Sequence, residues 1–142
     1  MKITGLHHIA IIASDYQRSK HFYVGVLGLT IIREIYREER HSYKLDLALP
    51  GGSQIELFSF PDAPARTSYP EACGLRHLAL AVSDLDYSIR HLAKHGVPTE
   101  VVRVDTTTDR RFTFFSDPDG LPVELYELVG DALYTATQVF PE

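Results

Sequence analysis

The sequence predicts an α+β fold of two tandem βαβββ modules, and three observations carry that expectation. LHHIAIIASD at 6–15 aligns with LRHLALAVSD at 75–84, an offset of 69 with five identities in ten. QIELF at 54–58 aligns with PVELY at 122–126 at an offset of 68. A helical pattern follows the first block in each copy. A unit of about 68 residues is thus present twice, and an internal repeat of this kind has to be read before any single element.

In the first copy the pattern predicts strands over about 4–13, 29–38, 42–49 and 54–59, with a helix over 15–26. In the second it predicts strands over 74–82, 99–105, 111–116 and 121–127, with a helix over 84–95. Phe22, Tyr23 and Val26 fall on one side of the first helix; Leu85, Ile89, Leu92 and Ala93 do so on the second. Ser14 or Asp15, and Ser83 or Asp84, supply the N-caps, while Gly25 or Gly28, and Gly96, supply the stops. Pro50-Gly51-Gly52 and Asp117-Pro118-Asp119-Gly120 are turn signals before the closing strands. The expected organisation is one domain over 1–142, made of modules at about 4–60 and 74–128 joined by a loop, with 129–142 as a C-terminal appendage.

Composition bounds the function. The 142 residues are 44% hydrophobic and 23% charged, enough to bury a core without disulfides or a structural zinc. A net charge of −5, with no basic run longer than Arg110-Arg111, argues against nucleic acid as a partner. The apolar stretch Ile9 to Ala13 is too short to span a bilayer and leads into Asp15 without a cleavage pattern, so no membrane partner and a cytoplasmic location are expected. Cys73 is the only cysteine and reads as a reduced, buried thiol.

The repeat singles out four polar residues. Strand alternation puts His8, Ala10 and Ile12 on one face of the first strand, opposite Ile9, Ile11 and Ala13. His77 and Ala79 are the counterparts of His8 and Ala10. Glu56 lies between Ile55 and Leu57, and Glu124 between Val123 and Leu125, so each carboxylate points away from the apolar side of its strand. Taken singly, each of these is a satisfied strand histidine or an edge carboxylate. Recurring together, His8, Glu56, His77 and Glu124 form an N₂O₂ donor set for one divalent ion, which would also neutralise two facing carboxylates. Ni²⁺, Zn²⁺ and Co²⁺ suit it best, with Fe²⁺ and Mn²⁺ also compatible. Of the other histidines, His7 is expected on the opposite face, His21 and His91 on the helices, His95 at a helix C-terminus and His41 at the surface. Arg37, Lys44, Arg103 and Arg111 read as solvated strand-edge charge, with contact to an anionic substrate as the alternative.

HHIAI, FYVGVLGL, IELF, LRHLAL and FTFFSDPDGLPVELYE together resemble the vicinal oxygen chelate superfamily, and within it the small bacterial proteins related to glyoxalase I. The resemblance covers residues 4–128 and implies the glyoxalase/bleomycin-resistance/dioxygenase fold, with the same four residues as metal ligands, a small-molecule substrate such as a thiol adduct, and a homodimer. It also implies a metal-dependent lyase or isomerase of the lactoylglutathione lyase type. In that chemistry a proton alpha to a carbonyl of the methylglyoxal–glutathione adduct is removed and an enediolate is held by a Lewis-acidic metal. Glu124 is then the principal base and Glu56 its acid/base partner. Where glutathione-using members carry an Arg late on the first strand and an Asn after IEL, this chain has Ile12 and Phe60. The alternatives are an acyl-thioester epimerase, an Fe(II) extradiol-type dioxygenase needing two His and one Glu, and a metal-free drug-binding protein with an aromatic groove.

Overall fold

The computed structural model describes residues 1–129. Two compact units divide the chain: one takes residues 1–76 together with 116–121, the other 77–115 and the chain from 122 onward. The appendage expected over 129–142 lies outside the described residues, Val129 excepted.

In the first unit the chain runs β1 (His8–Ala13), α1 (Tyr16–Lys20), β2 (Thr30–Arg37), β3 (Ser42–Ala48) and β4 (Gln54–Ser59). The sheet order is β1-β4-β3-β2, with β1 parallel to β4 and the other pairs antiparallel. The second unit repeats this as β5 (Leu78–Val82), α2 (Leu85–Lys94), β6 (Arg103–Asp105), β7 (Arg110–Ser116) and β8 (Pro122–Glu127), in the order β5-β8-β7-β6. The predicted βαβββ repeat is therefore present, one sheet per unit.

Alternation sorts the faces. Ile11, Ala13, Leu45, Leu47, Ile55 and Leu57 are buried and form the core of the first unit with Tyr16, Phe22, Tyr23 and Val26. In the second, Leu78, Leu85, Leu92, Thr113, Phe115, Val123 and Leu125 are buried. Each large apolar side chain so buried contributes on the order of 2 kcal/mol. Arg111, Thr113 and Phe115 thus lie on the helix-covered side of β7. Among the described residues no helix is long and apolar enough to cross a membrane.

Four local expectations are corrected. Strand β1 begins at His8 rather than residue 4, because its single partner β4 begins at Gln54, the residue opposite His8. The first helix leaves α geometry after Lys20 and continues as π-helical turns over His21–Val26. There the His21 ring lies against Gly25, where a Cβ would come within 3.1 Å of His21 Nδ1. Strand β6 is cut to three residues, although Glu100 N still donates to Phe114 O at 2.8 Å. Cys73 is exposed, not buried.

The caps fall on Asp15 and Asp84, whose carboxylates accept from Arg18 N (3.0 Å) and Tyr87 N (2.8 Å). Gly96, at φ +71°, closes α2 with the paired bonds Val97 N to Leu92 O and Gly96 N to Ala93 O, each 3.0 Å.

Candidate metal centre

The face of the first sheet away from α1 carries polar rows. Ala10, Glu56, Asp46 and Arg33 lie side by side across β1, β4, β3 and β2; Ile12, Phe58, Lys44 and Ile35 form the next row. His8 precedes Ala10 on this face, and its Nε2 lies 3.6 Å from Glu56 Oε2. Its Nδ1 is taken by His7 Nδ1 at 2.8 Å, which directs Nε2 toward the carboxylate. His7, predicted on the opposite face, instead precedes the strand and meets the His8 ring edge-on.

The second unit builds the same pair independently. Ala79 lies opposite Glu124 as Ala10 lies opposite Glu56. His77 stands two residues before Ala79, and its Nε2 is 3.0 Å from Glu124 Oε2. Phe114 closes on the His77 ring edge-on, with centroids 5.1 Å apart. The two glutamate side chains are similarly sheltered, 16% and 13% exposed. Among the described residues no group of three or more His, Cys, Asp or Glu side chains is placed to hold an ion. Each unit thus supplies one His–Glu pair, with the imidazole nitrogen and the carboxylate oxygen that borderline divalent ions accept.

The pairs differ in their neighbours. Lys44 Nζ lies 3.0 Å from Glu56 Oε1 and 2.7 Å from Asp46 Oδ1, and Arg33 grips Asp46 Oδ2 at 2.9 Å. Burial raises the Asp46 pKa, but Lys44 and Arg33 outweigh it and hold the carboxyl below its usual range. Sixty-eight residues on from Lys44 and Asp46 stand Phe112 and Phe114, so no cation takes that place in the second unit. Among the described residues Glu124 has no lysine or arginine ion pair. Lys44, read from the sequence as solvated charge, is therefore part of the site; its signal was its alternation with Leu45, which puts it on the face of Glu56.

The remaining candidate cations separate. Arg111 is on the helix side, bound to Glu127 and Asp86. Arg103 pairs with Glu100 at 2.7 Å. Arg37 has its Nη2 on Ser42 Oγ at 2.8 Å and its guanidinium over Phe58 and Phe60. A cavity of about 450 Å³ in the first unit is bordered by Ala10 and Ile12 of the same face and by Ala63, Pro64 and Arg66 of the following loop. That volume suits a small organic molecule.

A family model of the Glyoxalase/Bleomycin resistance protein/Dioxygenase superfamily matches residues 5–125, and the chain belongs to that family. The chain is 62% identical over 122 residues to the uncharacterized protein YaeR of Escherichia coli (strain K12), covering 86% of this chain and 95% of that one. It is 59% identical over 127 residues to the uncharacterized protein YwkD of Bacillus subtilis (strain 168), covering 89% and 99%. Among solved structures, the glyoxalase family protein from Enterococcus faecalis is 50% identical with a TM-score of 0.82, covering 89% of this chain and all of that one (100%). The superfamily includes enzymes, its members commonly bind a divalent metal, and many are dimers.

Proposed function

We propose that this chain is a metal-dependent lyase or isomerase of the glyoxalase I type, with one divalent ion held by His8, Glu56, His77 and Glu124. The observation that carries the reading is the recurrence of one His Nε2–Glu Oε2 pair, at the same register beside an alanine, in both units. The donor chemistry fits Ni²⁺, Zn²⁺ or Co²⁺. In this reading one ion is shared by the two pairs, whether within a chain or across a dimer.

When bound, the ion supplies Lewis acidity for the substrate oxygens. Glu124 acts as the base: a carboxylate oxygen takes the proton alpha to the carbonyl, the C–H electron pair passes into an enediolate, and the proton returns to the adjacent carbon. Glu124 suits this because its charge is not already neutralised by a lysine or arginine. Glu56, beside the Lys44 ammonium, is held in its place and serves as the acid/base partner. Ala10 and Ala79 leave room above the carboxylates. The apolar Ile12 and the Phe58–Phe60 stack, whose centroids are 5.9 Å apart, shape the wall of the first unit.

The test begins with metal-free protein loaded with Ni²⁺, Co²⁺ or Zn²⁺. The reading expects one ion per chain, with binding weakened in Glu56→Gln and Glu124→Gln alike. It also expects an absorbance rise from thioester formation with methylglyoxal and glutathione, absent in Glu124→Gln at saturating metal. A chain that takes up no ion overturns the metal centre. A loaded chain inactive on this adduct overturns the glyoxalase I assignment and leaves other substrates with a proton alpha to a carbonyl.

A further inference from the structure

Arg37 is the anomaly of the first unit. It closes β2, and its Nε–H is buried and donates to nothing, while Nη2 alone is satisfied, by the buried Ser42 hydroxyl. A buried donor without a partner is costly to keep. Glu38 and Glu39 follow it directly, yet neither forms an ion pair with it among the described residues. The side chain is also preorganised: its guanidinium carbon lies 4.9 Å from the Phe58 centroid and 5.6 Å from that of Phe60.

Arg103 in the second unit supplies an internal control. It lies over Phe112 and Phe114 in the same manner, at 5.2 and 5.4 Å, but Glu100 accepts from its Nη2 at 2.7 Å. Two arginines thus rest on paired phenylalanines. One has a carboxylate from its own chain and the other has none.

Position supplies the rest. Phe58 lies one row along β4 from Glu56 on the same face, and Lys44 Nζ sits 5.9 Å from the centroid of that same Phe58 ring while bonding Glu56. Rows on one face repeat every ~6.8 Å, so the guanidinium stands one to two rows from the candidate metal ligand. We propose that Arg37 is the anion-binding group of this site and receives, on its Nη donors and not on the enclosed Nε–H, a carboxylate or phosphate carried by the substrate. The substrate is then a compact molecule with oxygens for the metal at one end and an oxyanion at the other. This placement relative to substrate rests on the metal-centre reading, whereas the anion site itself stands on Arg37.

The probes are inorganic phosphate and malonate, titrated calorimetrically into metal-free protein against chloride at matched ionic strength. The absence of metal keeps this result separate from the fate of the metal centre. The expected result is saturable binding of one anion per chain, weakened about tenfold or more by Arg37→Met and unchanged by Arg103→Met. Arg37→Lys, which keeps the charge and loses the fork, covers the case in which Arg37→Met does not fold, and weakens binding by about threefold or more. Preference for phosphate or for malonate identifies the oxyanion. Binding no better than chloride in the unaltered protein, or equal binding in the Arg37 variants, overturns the proposal.

Discussion

Lys44 places a monovalent cation beside Glu56, where the proposed divalent ion would bind. Its ammonium bridges Asp46 and Glu56, and the hydrogen bond to Asp46 and that to Glu56, against the opposing effect of burial, hold its pKa above the usual lysine value. It therefore stays charged through the neutral range and repels an incoming ion. Lys44→Met should raise affinity for Ni²⁺ or Zn²⁺ by about tenfold, on Coulomb energies of a few kcal/mol at this range. Titration against a competing chelator checks it; unchanged affinity would place the ion away from Glu56. The two His–Glu pairs, His8 with Glu56 and His77 with Glu124, were legible in the sequence because each residue has a counterpart one repeat away. Lys44 and Arg37 were not, because a repeat highlights only what both copies keep. Lys44 corresponds in the repeat to Phe112, and the property that marks Arg37 is a missing partner, which a sequence does not display.

At the scale of elements, α2 is tied to its sheet by charge. Glu127 at the end of β8 accepts from Leu85 N at 3.0 Å and from Arg111 Nε and Nη2 at 2.8 Å, and Arg111 reaches on to Asp86. Arg111 and the Leu85 amide pull the Glu127 pKa down to about 2. A carboxyl depressed from its unfolded value of ~4.3 contributes stability that is complete above that value and lost as pH falls toward 2. Denaturant midpoints should therefore drop between about pH 5 and pH 2, and Glu127→Gln should flatten that slope while lowering stability at pH 7. A slope unchanged by the substitution would assign it to other carboxylates. The helix itself was legible from its cap, its apolar spacing and Gly96. The cluster beneath it was not, since period-2 alternation separates two faces of β7 without saying which one the helix covers.

At the scale of the whole chain, the order of elements in the two modules was legible, because strand alternation, caps and turn signals agree in both copies, whereas several element boundaries were set by strand pairing. What covers the exposed apolar surface was not legible. Ile31, Ile32, Ile35 and Tyr36 are all exposed on β2, an edge strand of the first sheet. An edge this apolar is a liability in a free monomer. Sedimentation equilibrium should find a dimer, with Ile32→Glu or Ile35→Glu shifting it toward monomer; a monomer at micromolar concentration in the unaltered protein would remove β2 as an interface. The turn at 116–121 has a consequence in time. Tyr23, buried in the first unit, donates its hydroxyl to Asp117 Oδ2 at 2.8 Å, and Ser14 N donates to Asp119 Oδ2 at 3.0 Å. A chain made from its N-terminus at ~5–20 residues per second therefore finishes the first unit only after most of the second has been made. Duplication here has produced halves that repeat in space but cannot be completed in order.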